Sequence, residues 1–114
     1  MGQYFKLVNE DKKEVVSSWN IGGTAKFFEW LYNNQARIFV GLLRQSNETG
    51  GGDIGGPSTY QTLGRWAGDR VTLIGDYDES CLWDTAEQFT DISELVRKES
   101  NRAVTKNGCD EYGL

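Results

Sequence analysis

The segment Gly64–Glu79, with the sequence GRWAGDRVTLIGDYDE, constrains the fold of this chain more than any other stretch. Apolar side chains alternate along its centre, Arg70–Tyr77, and this period of two predicts a β-strand. We expect a tight turn at Gly64–Asp69 before the strand and an acidic turn at Asp76–Glu79 after it. A strand of this length spans roughly 26 Å, so its two polar ends cannot meet through the strand alone.

Three further segments are predicted to be strands. Gly2–Val8 alternates polar and apolar residues, and Glu14–Ser18 follows a turn at Asn9–Lys12, which together indicate an N-terminal hairpin. Ala36–Leu43, ARIFVGLL, is apolar at odd and even positions alike, which is typical of a strand buried on both faces. We therefore expect this segment at the centre of the sheet.

Three segments are predicted to be helices. Ala25–Tyr32 and Ser80–Phe89 place their large apolar residues at helical spacing. Asp91 and Glu94 match a capping box, with Asp91 as the cap and Glu94 reaching back, and the helix that they open is expected to end at Gly108. This order of elements predicts an α+β fold, with an antiparallel or mixed sheet of about four strands and two or three helices packed on it.

The length of 114 residues gives room for one domain with one core. We expect residues 1–108 to form that domain, with a Gly-rich loop at residues 47–60 and a flexible tail at residues 109–114. The loop contains GGGDIGGP but lacks the spacing of a phosphate-binding motif, so a flexible loop is the preferred interpretation.

Charge and composition limit the function. The net charge is −5 and the chain contains no His, so we expect no direct nucleic-acid or membrane binding and no His-dependent catalysis. Two cysteines are not a disulfide framework, and no cofactor or metal is expected. The N-terminus has no apolar signal core, which predicts a cytoplasmic location, in the host cytoplasm if the protein is encoded by a phage.

The first candidate site is the cluster of Arg65, Trp66, Asp69 and Arg70. One interpretation is structural: Asp69 pairs with an arginine and fixes the turn, while Trp66 fills the core. The other is a recognition site in which Arg and Trp bind an anionic or planar ligand. The sequence leaves both open.

The second and weaker candidate site is the acidic group of Asp76, Tyr77 and Asp78, extended by Glu79. Acidic residues are common in the first turn of a helix, so a turn that leads into the helix from Ser80 is the simpler interpretation. A hard-cation site with oxygen ligands is the alternative, although the spacing does not match an EF-hand loop.

The opening MGQYFKLVNEDKKE and the central GRWAGDRVTLIGDYDES also carry a family resemblance. The chain resembles a family of small proteins from bacteria, archaea and their phages, whose members open MGQY-aromatic-K-x-VN and carry W-x-GDR-[IV] followed by GDY. The Gly-Gly-Gly-Asp segment and Asp91-Ile92-Ser93 are similar too, so the resemblance extends over most of the chain. It implies a microbial or phage setting and a shared fold, and it transfers no catalytic residues.

We therefore expect a small non-enzymatic binding protein of phage or mobile-element type. Its partner would be a host protein, such as a defence component that it inhibits, or a small anionic ligand that it sequesters. The alternative is a small nucleotide-binding protein or carboxylate-based enzyme, in which Arg65, Asp69 and Arg70 converge with Asp76 and Asp78. An acidic nucleic-acid mimic is disfavoured because Lys and Arg are interspersed along the chain.

Overall fold

The computed structural model describes residues 2–21, 25–32, 35–46, 49 and 60–106. These residues form four β-strands and four α-helices, with short 3-10 helices at Ser18–Ile21 and Ala86–Gln88. In chain order the elements are β1 (Phe5–Asn9), β2 (Glu14–Ser17), α1 (Phe27–Tyr32), α2 (Gln35–Leu43), β3 (Val71–Gly75), α3 (Leu82–Thr85), β4 (Thr90–Asp91) and α4 (Ser93–Lys106).

The strands form one mixed sheet in the order β3-β1-β2-β4. β1 is antiparallel to both β2 and β3, and the register places Leu7 opposite Val16 on one side and Leu73 on the other. β4 pairs with β2 in parallel. The predicted α+β fold and the predicted N-terminal hairpin are therefore confirmed.

Both faces of the sheet are covered by other elements. Successive side chains of a strand point to opposite faces, so neighbouring residues join different core clusters. Leu7 and Val16 join the larger core cluster, to which α1, α2 and α4 contribute. Val8 and Val15 join a smaller cluster on the other face, with α3 and the following 3-10 helix. We call these the α4 face and the α3 face of the sheet.

The prediction of a central strand at Ala36–Leu43 is wrong, because this segment lies in helix α2. Ile38 and Leu42, four residues apart, are buried on one side of the helix, whereas Val40 is 69% exposed. The run satisfies a period of 3.6 as well as a period of two, and a short apolar run does not distinguish between them. The fourth strand is instead β4, a two-residue pairing that the sequence did not indicate.

The ends of the other elements differ modestly from expectation. The helix predicted from Ser80 begins at Leu82, and its last turn is a 3-10 helix. Asp91 caps α4 as predicted, since its carboxylate accepts the backbone N–H of Ser93 at 2.8 Å, whereas Glu94 pairs with Arg97. The predicted Gly-rich loop, apart from Thr49 and Tyr60, and the predicted stop and tail from Gly108 onward lie outside the described residues.

Candidate functional site

Arg65 and Trp66, from the first predicted site, both bind the carboxylate of Glu14 on β2. The indole N–H of Trp66 donates to Glu14 Oε1 at 2.8 Å, and the Arg65 Nε donates to the same oxygen at 3.0 Å. Burial raises the pKa of Glu14, but these hydrogen bonds outweigh it and lower the pKa overall, while the pKa of Arg65 is raised. Trp66 is fully buried and belongs to the core, whereas the Arg65 side chain is partly exposed and covers Glu14 from the solvent side.

Asp69 and Arg70 bind the turn between β1 and β2. Asp69 accepts hydrogen bonds from the Asn9 side chain at 2.8 Å and from Lys12, and these contacts lower its pKa. Arg70 donates from its backbone N–H and its Nε to Asp11, at 2.6 and 3.0 Å, and lowers the pKa of that carboxyl. The predicted pairing of Asp69 with an arginine is therefore replaced by a pairing with Lys12, and the cluster fixes the hairpin turn against the start of β3.

The second predicted site also makes local contacts. Asp76 Oδ1 accepts the backbone N–H of Tyr4 at 3.0 Å. Asp78 accepts the backbone N–H of Ser80 at 2.8 Å and its hydroxyl, and both bonds lower the pKa of Asp78. Tyr77 is 61% exposed. These contacts match a turn that leads into α3.

The two predicted sites lie at opposite ends of β3. The Arg65–Arg70 segment precedes Val71, and Asp76 follows Gly75, so the five-residue strand separates them by about 17 Å. Within the described ranges no group of His, Cys, Asp or Glu is arranged to hold a metal ion. The structure thus does not bring these residues together in one pocket.

A cleft of about 300 Å³ lies on the α3 face of the sheet. It is lined by side chains from β1, β2 and the α3 region that combine aromatic rings with polar groups: Lys6, Ser17, Trp19, Trp83, Glu87 and Phe89, with Asp91 at the edge strand. This volume is at the lower end of the range of about 300–1,000 Å³ that small-molecule sites occupy. We call this the β1–α3 cleft.

Lys6 is the unusual residue of the β1–α3 cleft. Its side chain is only 10% exposed, and its Nζ lies 4.1 Å from the centre of the Trp83 ring and 3.4 Å from Glu87 Oε1. An ammonium has three N–H donors, and in the described part of the chain this one makes a single long hydrogen bond besides the contact with the indole face. A ligand acceptor placed in the cleft would therefore find a buried donor.

Two carboxylates accompany Lys6 in the lining. Glu87 is 66% exposed at its side chain, so its carboxylate meets both Lys6 and the solvent. Asp91 is exposed and also caps α4. Lys13 stands outside the lining, with its Nζ 5.5 Å from the centre of the Phe89 ring. The lining itself carries one positive and two negative groups.

Aromatic side chains are also exposed beside the cleft and on α1. Trp19, which lines the cleft, contacts Tyr4 with the two ring centres 5.7 Å apart, and Phe27 contacts Phe5 at 5.5 Å. Phe28 and Leu31 of α1 are 56% and 65% exposed. Exposed aromatic groups of this kind are typical of interaction surfaces.

A second, smaller cavity of about 40 Å³ lies between α2, α4 and the segment that begins at Tyr60. The buried Glu99 carboxylate accepts the backbone N–H and hydroxyl of Thr62, both at 2.7 Å. The Tyr60 hydroxyl is buried and has no hydrogen-bond partner among the described residues. A space of this size suits water rather than a ligand.

The sequence did not point to the β1–α3 cleft because its residues come from separate segments. Lys6 was assigned to the polar side of an amphipathic strand, and Trp83 and Phe89 to the buried side of a helix. One sequence feature could have revealed it: Val8 and Val15 lie on the same side of the hairpin as Lys6. A lysine among valines on that side indicates a second covered face, and with it a buried ammonium.

No family model, curated protein or solved structure matches the chain. None of the helices in the described ranges is long and apolar enough to cross a membrane.

Proposed function

We propose that this protein is a non-enzymatic binding protein that holds a small planar molecule in the β1–α3 cleft. The observation that carries the proposal is the buried Lys6 ammonium, which lies against the Trp83 ring in a cleft whose aromatic lining also includes Trp19 and Phe89. Ligand sites commonly combine aromatic walls with a few convergent polar groups, and this cleft has that composition.

The contrast with the first predicted site supports this choice. Arg65 is already paired with Glu14, and Arg70 with Asp11, and neither arginine lines the β1–α3 cleft. Among the described residues, Lys6 makes only a long contact with Glu87 besides its contact with the Trp83 ring. Unlike the two arginines, it lines a cleft of about 300 Å³ in which a ligand could reach it.

A binding role is preferred over catalysis because the carboxylates with perturbed pKa values act in structure. Glu14 and Glu99 are buried and accept hydrogen bonds from neighbouring residues, which lowers their pKa values and keeps them charged. A general acid at neutral pH needs a raised pKa instead. The carboxylate-based enzyme also requires convergence of Arg65 with Asp76, which lie beyond opposite ends of β3.

Thermal-shift measurements test the proposal. Indole, quinoline, nicotinamide and inosine are added separately at millimolar concentration, because a ligand that binds only the folded protein raises its melting temperature by mass action. We expect at least one to stabilise the wild type and to have no effect on Trp83→Ala. Tyr77→Ala, which removes an exposed aromatic ring outside the cleft, is the matched control and should respond as the wild type does.

A response that persists in Trp83→Ala would contradict the proposal, because the binding would then lie elsewhere. So would the absence of any response in the wild type, checked over a wide concentration range by calorimetry.

The exposed surface on α1 favours a second candidate function, which is docking to a protein. Phe27, Phe28 and Leu31 are all about half exposed or more. In the microbial or phage setting that the family resemblance implies, the partner would be a host protein, and inhibition of a defence component is the corresponding proposal.

Variants of α1 distinguish protein docking from small-molecule binding. The immobilised wild type should capture a host protein, whereas the double variant Phe28→Ser, Leu31→Ser should not capture it and should bind small molecules unchanged. Val40→Ser replaces an equally exposed apolar residue on α2 and should retain capture. Equal capture by all three proteins would contradict docking through α1.

A further inference from the structure

Two of the charged groups of the β1–α3 cleft, Lys6 and Glu87, stand close enough to contact neighbouring atoms of one ligand. Lys6 Nζ and Glu87 Oε1 are 3.4 Å apart. Lysine only donates hydrogen bonds, and an ionised glutamate only accepts them. The pair therefore matches a ligand edge that carries an acceptor directly beside a donor.

From this arrangement we infer that the cleft binds an uncharged planar heterocycle with a lactam edge, that is, a ring carbonyl next to a ring N–H, as in hypoxanthine, guanine or uracil. The carbonyl oxygen accepts from Lys6 and the ring N–H donates to Glu87. The flat ring lies against the aromatic groups of Trp83 and its neighbours in the lining. This inference rests on the proposed function, since it names the ligand class of the same cleft.

An uncharged ligand fits the burial and charge of the cleft better than an ion does. The Lys6 side chain is only 10% exposed, so a charged ligand group that reaches it must also lose most of its water, which is costly. Glu87 and Asp91 line the cleft and repel a phosphate or carboxylate. A free nucleoside should therefore bind more tightly than the corresponding nucleotide.

The glutamate sets the preference among bases. Adenine presents a donor where hypoxanthine presents its carbonyl, and an acceptor where hypoxanthine presents its ring N–H. Lys6 would then face a donor and the Glu87 carboxylate would face an acceptor, so both contacts fail. Because hydrogen bonds to charged groups are strong, adenosine should bind at least about tenfold more weakly than inosine.

Isothermal titration calorimetry with inosine, adenosine, inosine monophosphate and L-tryptophan tests the inference on the wild type. We expect inosine to bind most tightly and the monophosphate to bind more weakly, with a gap that narrows as added salt screens the carboxylates. L-Tryptophan is included because its carboxylate and ammonium could also pair with Lys6 and Glu87.

Variants of the charged pair provide the second test. Glu87→Gln should reduce the preference for inosine over adenosine, because a glutamine amide both accepts and donates. Lys6→Met should abolish inosine binding while keeping an apolar stem beneath Trp83. Glu94→Gln and Lys98→Met make the same chemical changes at exposed positions of α4 and should bind as the wild type does.

The outcomes separate the inference from the proposed function. Equal affinity for inosine and adenosine, or binding of L-tryptophan or indole alone, overturns the lactam inference and leaves a planar-ligand cleft in place. The absence of binding by every planar molecule overturns both. The comparison of inosine with adenosine uses the wild type only, so it stands even where a variant fails to fold.

Discussion

Replacing the buried Glu14 by alanine should clearly destabilise the fold. Glu14 is 6% exposed and is the acceptor for the indole N–H of the fully buried Trp66. In Glu14→Ala that N–H is left without its partner, which costs about 1–3 kcal/mol. The Arg65 guanidinium also loses its carboxylate.

The second contribution is smaller because Arg65 can return to water. Its side chain is 37% exposed, so solvent screening limits the loss of the ion pair to about 1 kcal/mol. Together the two effects give a loss of about 2–4 kcal/mol in the free energy of unfolding. For a domain of this size the melting temperature should fall by about 8–16 °C.

Urea unfolding followed by tryptophan fluorescence measures this loss. If the slope of the free energy of unfolding against urea concentration is unchanged, the shift in midpoint reports a change in stability. Glu14→Gln keeps an acceptor for Trp66 and removes the charge, so it should lie between the wild type and Glu14→Ala. Asp11→Ala removes the exposed partner of Arg70 and should have a much smaller effect.

Equal stabilities of Glu14→Ala and Asp11→Ala would refute the reasoning, since burial of the acceptor would then have no consequence. If Glu14→Gln cost as much as Glu14→Ala, the ion pair rather than the indole hydrogen bond would be the cause.

Three further predictions concern pH and glycine. The pKa values of Glu14 and Glu99 lie below their ordinary value of 4.5, so the stability that these groups contribute is present above that pH and lost as the pH falls below it. When the free energy of unfolding is measured at decreasing pH, Glu14→Gln should therefore lose less stability below pH 4.5 than the wild type does. Gly64 has φ +73°, and a Cβ there would lie 2.5 Å from a backbone carbonyl oxygen, whereas Gly68 has φ +83° with open space around it. In thermal unfolding, Gly68→Ala should lose about 1 kcal/mol of the free energy of unfolding and Gly64→Ala should lose more. Equal losses would contradict the close approach at Gly64. Gly41 lies within α2 with nothing within 4 Å of an added Cβ, so Gly41→Ala should raise the free energy of unfolding by about 0.5–1 kcal/mol, and a decrease in the same assay would argue against the helix.

The extent to which the sequence predicts this fold depends on how local each determinant is. β1 and β3 follow from alternation within single segments, and β2 follows from the turn after β1; all three agree with the sequence prediction. The α2 segment was not, because ARIFVGLL fits either period and only its contacts decide: Trp66 donates its backbone N–H to the carbonyl of Leu42 at 2.9 Å at the end of that helix.

The candidate site was predicted less well than the fold. Of the two interpretations of Trp66 that the sequence left open, the structural one places it in the core, where it lies, but the sequence did not indicate that Glu14, remote in sequence, accepts the hydrogen bonds of Trp66 and Arg65. The β1–α3 cleft depends on β1, β2 and the α3 region meeting on one face of the sheet. Lys6 lies beside Trp83 because of the strand order, and that order does not follow from the pattern of residues within any one segment.

NMR mapping of a bound ligand tests the central claim, that the β1–α3 cleft is the binding site, most directly. In ¹⁵N-labelled protein titrated with the best-binding planar molecule, we expect saturable shifts at the backbone amides of Lys6 and Ser17 and at the indole N–H of Trp83, and none at Val40 on α2. Shifts confined to Phe28 and its neighbours on α1, or no saturable shift at the cleft, would contradict the account.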